Sequence, residues 1–287
     1  MGMKPLVLDF DRSVKPLTGE QRIDLYDRQE AIRFGCRMNV LDRLKDTFGD
    51  ALAHQPHVAF IGSGDFHHLS YLLIGRHARL NRSIQVVVFD NHPDNMRYPF
   101  GIHCGSWVWH VSRLPFVSHV HVLGITSKDV EAAHGWENHL HNLYSGKVRY
   151  WCVGRDLGWM RLLGIKQSQS FAAIAPMLDA FSDYLDASTD PIYLTIDKDV
   201  LSVADVHTNW DQGVMRLSDL EAAIGLLKRR LIGCDVTGDI SVYSYQSRFK
   251  RFLSGIEGQP EIAEADLERW QVEQQAINLK LLQCLSG

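Results

Sequence analysis

Three stretches of the chain, far apart in sequence, carry side chains that could do metal chemistry. The first is GSGDFHHLS (62–70), with Asp65, His67 and His68. In the second, DNHPD (90–94), Asp90, His92 and Asp94 stand at alternate positions, and the third, DKD (197–199), supplies Asp197 and Asp199. Each follows a short apolar run, and carboxylates are costly to desolvate unless a cation or hydrogen bonds compensate them. Carboxylates with one or two imidazoles and no thiolate suit a hard divalent ion such as Mn²⁺ better than structural zinc. Five or six such ligands exceed the needs of one ion, whereas two cations ~3.5–4 Å apart, sharing carboxylates, would employ all of them. Singly, each motif has a plain alternative: a solvated turn, a helix cap or a packing histidine. The conjunction of the three is the signal.

Strand–helix alternation supplies the means of bringing them together. Residues 5–10, 57–62, 84–90, 119–125, 147–153, 191–197 and 231–237 read as strands, several continuously apolar, as strands buried on both faces of a parallel sheet are. Segments 27–49, 67–81, 170–187, 216–231 and 265–285 have helical periodicity, and SDLE (218–221) reads as a capping box. This order predicts a three-layer α/β/α fold with a mostly parallel central sheet, and the absence of a linker or repeat predicts one domain over 1–287. Ligand sites in such sheets lie beyond the carboxyl ends of the strands. All three motifs fall there.

Composition narrows the partners. A net charge of −4 gives no electrostatic reason to expect nucleic acid or an anionic membrane. No run approaches the ~18 apolar residues of a membrane span, and the N-terminus lacks a signal-peptide pattern. Cys36, Cys104, Cys152, Cys234 and Cys284 form no CxxC pair and read as free thiols in a reducing cytoplasm. The expectation is a cytoplasmic protein acting on a small molecule.

The same residues resemble the signature of the ureohydrolases, the arginase, agmatinase and formiminoglutamase family. Asp90–Asp94 is similar to that family's Asp-x-His-x-Asp motif, and Asp197-Lys198-Asp199 to its Asp-x-Asp. GSGDFHHLS is a looser version of its Gly-Gly-Asp-His-Ser, with one extra residue, and counting back from RHAR (76–79) selects His67 over His68. The resemblance, covering about residues 55–240, implies two Mn²⁺ ions per chain: one on His67, Asp90, Asp94 and Asp197, the other on His92, Asp90, Asp197 and Asp199. It further implies attack by a metal-bridging hydroxide on a guanidino, amidino or formimino carbon, with His103 in GIHCG as proton shuttle to the leaving amine. Family members are dimers, trimers or hexamers, so a homo-oligomer fits the resemblance.

Departures from the pattern fall on the substrate side. Ser202 occupies the place of a third aspartate after Asp197-x-Asp199, leaving Asp205 as the nearest substitute. Gly238 stands where the family has a guanidinium-clamping glutamate, with Asp239 beside it as the remaining carboxylate. Asp205 and Asp239 are therefore the expected substrate contacts, and the preferred substrate is expected not to be arginine. Rival readings are a deacetylase-like amidohydrolase with one Zn²⁺, a catalytically silent metal-binding protein, and a haloacid-dehalogenase-type phosphatase using Asp9 and Asp11 with Asp235 and Asp239. That last reading leaves DNHPD and DKD without a role. The histidines of HGWENHLHNLY (134–144) read as surface groups, and SWVWH (106–110) as core packing.

Overall fold

A computed structural model of the chain describes residues 3–48, 57–257 and 262–286. Its strands are β1 (Lys4–Asp9), β2 (Gln21–Asp24), β3 (Gly35–Cys36), β4 (His57–Gly62), β5 (Ile84–Phe89), β6 (Ile102–His103), β7 (Val117–Ile125), β8 (Val148–Val153), β9 (Gln169–Phe171), β10 (Ile192–Asp197) and β11 (Leu231–Thr237). Nine of them form one sheet in the order β2-β1-β4-β11-β10-β5-β7-β8-β9, while β3 and β6 make a short antiparallel pair. Every pairing in the large sheet is parallel.

The continuous apolar runs are explained by burial on both faces. Along β5, Val86 and Val88 enter one hydrophobic cluster while Val87 and Phe89 enter the other. Strand β4 divides likewise, Ala59 and Ile61 against Val58 and Phe60. Helices 38–48, 70–75 and 107–112 cover the first face, with Leu41, Leu44, Leu72, Leu73, Trp107 and Val111 in its core. Helices 174–186, 217–227 and 264–286 cover the second, through Met177, Phe181, Leu220, Ile224, Ile277 and Leu281. Full burial of such side chains is worth about 1.5–3 kcal/mol each relative to exposure. The expected three-layer α/β/α architecture is what these layers make. Among the described residues, no helix is long and apolar enough to cross a membrane.

Two local expectations are corrected. The helix read over 27–49 is broken: a turn of helix ends at Ile32, β3 intervenes, and the next helix runs Met38–Phe48. The break is tertiary in origin. Phe34 takes a left-handed backbone (φ 63°), which places its N–H on the Asp65 carbonyl (2.9 Å) and its carbonyl under the Cys104 N–H (2.7 Å). Helical periodicity lost here to the demands of two neighbouring loops. The capping box at 218–221 is also displaced: the helix starts at Leu217, and Asp219 caps it by accepting the Arg216 N–H at 3.1 Å.

The C-terminal helix reaches the centre of the sheet through a buried polar lock. Lys198, wholly buried between the two aspartates of DKD, donates to Asp239 (2.8 Å) and Asn278 (2.8 Å), and Asn278 donates back to Asp239 (2.9 Å). Burial pushes Lys198 down and Asp239 up, and their opposite charges resist both shifts. Removing one partner of a buried pair leaves the other uncompensated, at a cost of about 3–5 kcal/mol. Lys198→Met should therefore lower the unfolding free energy by about 3 kcal/mol or more, read as a lower urea midpoint with an unchanged m-value. A loss below about 1 kcal/mol would show that the lock is not stabilising the strand end.

Candidate metal centre

The four central strands, β4, β11, β10 and β5, lie side by side, and the three motifs follow three of their carboxyl ends. Register aligns Ile196 with Phe89 and Asp197 with Thr237, so Asp90 and Asp197 emerge from neighbouring strands at one level. The Thr237 hydroxyl, 2.9 Å from the Gly62 and Ser63 carbonyls, ties β11 to the turn that carries His67. That turn is a 3-10 helix, Gly64–Leu69, whose N-cap Ser63 accepts from the Asp65 N–H.

His67 Nδ1 faces three carboxylates: Asp90 Oδ2 at 3.1 Å, Asp94 Oδ2 at 3.2 Å and Asp197 Oδ2 at 3.5 Å. His92 Nδ1 lies 2.8 Å from Asp199 Oδ2 and 3.6 Å from Asp90 Oδ1. Two groups able to hold a cation result, His67–Asp90–Asp197 and Asp90–His92–Asp199, with Asp90 in both. The side chains fit a cation better than they fit one another. His67 Nδ1 and Asp90 Oδ2 are buried at close range, yet neither makes a hydrogen bond. Buried polar atoms without hydrogen-bond partners that converge on one point are a donor set suited to a cation. Asp94 adopts a left-handed backbone (φ 46°), a strained choice for a non-glycine residue, and its Oδ2 is steered by the Trp107 N–H at 2.6 Å.

The electrostatics show the same crowding. Burial, then the Asp90 charge, pushes Asp94 and Asp199 each up to about 7, and burial with the charges of Asp199 and Asp90 lifts Asp197 well above the carboxylate range. Burial also opposes ionisation of Asp90, but His67 and His92 outweigh it and hold Asp90 below its ordinary value. Both histidines are desolvated, and both are nonetheless held well above the ordinary imidazole value by the surrounding carboxylates.

Behind His67 runs a buried relay. Its Nε2 lies 2.9 Å from the Thr195 hydroxyl, which is 3.5 Å from the Ser70 hydroxyl. Ser70 and Tyr193 both donate to Asp235, at 3.0 and 2.7 Å. Such partners fix the tautomer and orientation of a ligating imidazole.

Beside the cluster lies a cleft of about 230 Å³, lined by all six ligand candidates together with His103, Cys104, Met96, Trp210, Asp129, Glu137 and Asn138. Among the expected residues, His67, Asp90, His92, Asp94, Asp197, Asp199 and His103 are thus brought together. His68 is buried elsewhere, with neither ring nitrogen hydrogen-bonded, so His67 is the histidine at the cluster. The two expected substrate contacts are placed otherwise. Asp205 accepts from Arg216 (2.7 and 3.0 Å) and from the Leu217 N–H (3.0 Å), serving the start of a helix. Asp239 Oδ1 belongs to the Lys198 lock, its Oδ2 is buried without a hydrogen bond, and the residue does not line the cleft. The aspartates of the phosphatase reading are likewise structural. Asp9 accepts from Arg12 and Arg22, and Asp11 holds Ser13, Ser241 and the Ser63 N–H.

Several participants escaped the motifs. Trp210 lines the cleft and donates to Asp65 (3.1 Å), which is held by buried Arg33 at 2.7 Å. Asp211 Oδ1 lies 2.7 Å from His92 Nε2. Both sit in irregular chain after Asp199, where the Asp-x-Asp pattern breaks off. Segment 134–144, read as surface, sends Glu137 and Asn138 to the cleft instead of its histidines, one of which, His139, stacks on Trp109.

The chain matches the family model described as Arginase family over residues 8–237, and it belongs to that family, whose members are hydrolases acting on C–N bonds. An uncharacterized protein of Thermotoga maritima is 26% identical over 206 residues, 71% of this chain and 67% of the relative. The fold is similar to that of formimidoylglutamase from Bacillus subtilis (TM-score 0.55, 13% identity, covering 100% of this chain and 88% of that one). It is similar also to proclavaminate amidino hydrolase from Streptomyces clavuligerus (0.56, 14%, 100% and 93%) and to arginase from Bacillus caldovelox (0.52, 14%, 97% and 98%).

Two outcomes follow for cation binding. Asp94 and Asp199, protonated below about 7 without metal, must each release a proton to bind it. Affinity for Mn²⁺ should therefore weaken as pH falls through about 7, with proton release seen by calorimetry in buffers of different ionisation enthalpy; affinity constant from about pH 5.5 to 8 would contradict this. Thr195→Val, which keeps shape and removes the hydroxyl facing His67, should weaken Mn²⁺ binding about 10–100-fold with the fold retained. Unchanged affinity would show that the relay does not act on His67.

Proposed function

We propose that this chain is a divalent-cation-dependent hydrolase, with manganese the metal the donor set suits, cleaving a C–N bond of a small guanidino-, amidino- or formimino-type molecule. The observation that supports it most directly is the sharing of Asp90 between two cation-holding groups at the base of one cleft. His67, Asp90, Asp94 and Asp197 would hold one cation, and His92, Asp90, Asp197 and Asp199 the other. Such a pair would supply Lewis acidity and a nucleophilic water at neutral pH. Carboxylate-rich ligation without thiolate favours Mn²⁺ over the single Zn²⁺ of a deacetylase-like site.

His103 stands in the cleft wall on β6, buried beside the Tyr98 ring (centroids 4.9 Å). Burial holds it down to about 4, so it is neutral at neutral pH. Its Nδ1 accepts the Gly105 N–H at 3.1 Å, which puts the ring proton on Nε2. As it stands the ring offers a donor. Taking up a proton for the departing nitrogen requires the Gly105 bond to be given up, which makes this turn a moving part of the proposed reaction.

Manganese-loaded protein offered guanidino, amidino and formimino compounds should release urea, ammonia or formamide from one class. His103→Asn should then lower kcat about 10²–10⁴-fold while metal content stays unchanged. Failure of all three classes with metal bound would overturn the hydrolase reading, and one tightly held Zn²⁺ with deacylation of an amide would replace it.

A further inference from the structure

The two imidazoles of the cluster are supported in different ways. Behind His67 stands the buried Thr195 hydroxyl, on a strand of the sheet itself. His92 is held between two carboxylates, one inside and one outside. Its Nδ1 lies 2.8 Å from Asp199 Oδ2, and its Nε2 lies 2.7 Å from Asp211 Oδ1. The Asp199 side chain is 3% exposed and that of Asp211 69%, and a contact made by so exposed a carboxylate adds little to stability. Its effect on direction is another matter. With the Nδ1 lone pair turned to a cation, the ring's one proton sits on Nε2, and Asp211 Oδ1 is the acceptor that faces it.

Asp211 is delivered by a loop that closes back on the cluster. The chain leaves the sheet after Asp199 and returns at Met215, whose N–H donates to the Val200 carbonyl at 3.2 Å. Gln212 staples the loop across its width, donating to the carbonyls of Leu201 and Val206 (2.9 Å each) and accepting the Thr208 N–H (3.2 Å). The Gly213 N–H reaches the Asp199 carbonyl at 2.7 Å, an approach open to glycine because a Cβ there would lie 2.4 Å from the Val200 carbonyl oxygen. At the tip, Trp210 donates to Asp65 (3.1 Å), and Asn91 Nδ2 donates to the Asp211 carbonyl (2.9 Å) and Oδ2 (3.2 Å). Asn91 is itself fixed, its N–H on Asp199 Oδ1 (3.0 Å) and its Oδ1 under the Thr126 N–H (3.1 Å). A carboxylate carried on backbone so anchored needs little ordering to hold a ring.

These ties separate two jobs of Asp211. Its carbonyl, with Trp210, Gln212 and Gly213, holds the loop in place without the carboxylate, whereas Oδ1 faces His92. Removing the side chain therefore leaves the loop anchored and takes away the outer support of one imidazole. Among the described residues, His67 has no partner in this loop; its neighbours are Thr195, Trp107 and three aspartates.

We infer that Asp211 is the positioning residue of His92, and that it governs the affinity of one cation group, Asp90–His92–Asp199, and not that of the other. The inference rests on the pair of cations in the proposed function.

The test titrates metal-free full-length protein with Mn²⁺ and counts free ion by electron paramagnetic resonance, which resolves the two equivalents. Asp211→Ala should weaken one equivalent about 10–100-fold and leave the other within about twofold. Asp211→Asn, which keeps an acceptor oxygen for Nε2, should recover most of that loss. Both equivalents weakened alike, neither weakened, or Asp211→Asn as damaging as Asp211→Ala would each overturn the inference. Wild-type protein that takes up fewer than two equivalents would overturn the paired-cation reading and this inference with it, whereas two equivalents indifferent to Asp211→Ala would overturn this inference alone. Selective loss in the variant, with no guanidino, amidino or formimino compound cleaved by the wild type, would sink the hydrolase reading alone.

Discussion

Four carboxylates packed with two imidazoles at the buried end of a sheet are the constraint on which the rest of this structure depends. Asp90, Asp94, Asp197 and Asp199 are all less than a tenth exposed. At such range, in a medium less polar than water, like charges cannot all ionise without a counter-charge. The protein supplies part of it through His67 and His92. The remaining imbalance appears as displaced titration, as orphaned atoms on His67 and Asp90, and as the left-handed backbone of Asp94. A parallel sheet suits this load because its interior strands are held by ladders on both sides and by apolar layers on both faces. Strain at the strand ends is offset elsewhere in the fold.

Around that centre the work is divided among different segments of the chain. The candidate ligands follow strands β4, β5 and β10, and β11 braces them through Thr237 and Asp235 without contributing one. The C-terminal helix lies past the part of the chain that matches the family, yet its Asn278 meets the Lys198 ammonium and its Gln274 donates to the Gly238 carbonyl. A buried lysine between the two aspartates of DKD needs a buried partner, and Asp239 is that partner.

Much of this was legible in the sequence because it rests on local rules. Uninterrupted apolar runs announced strands buried on both faces, and β4, β5, β10 and β11 fall within a residue of their expected limits. The convergence of the candidate ligands was readable because Asp90, His92 and Asp94 follow a strand at alternate positions, which puts them at one sheet edge. Less legible were features decided by contacts distant in sequence. Phe34 breaks an expected helix to satisfy the Asp65 and Cys104 backbones. Asp239 and Asp205 looked available beside the motifs, but Lys198 and Arg216 claim them. Glu137 sits in a histidine-rich stretch with no motif, and only the pairing of 95–97 with 137–139 carries it to the cleft.

The central claim is that this carboxylate–imidazole cluster is a paired cation site. Diffraction from crystals of the manganese-loaded protein, with an anomalous difference map at the manganese edge, addresses it most directly. The account predicts two peaks ~3.5–4 Å apart, one among His67, Asp90 and Asp197 and the other among Asp90, His92 and Asp199. A folded chain in millimolar Mn²⁺ with no peak at either position would contradict it.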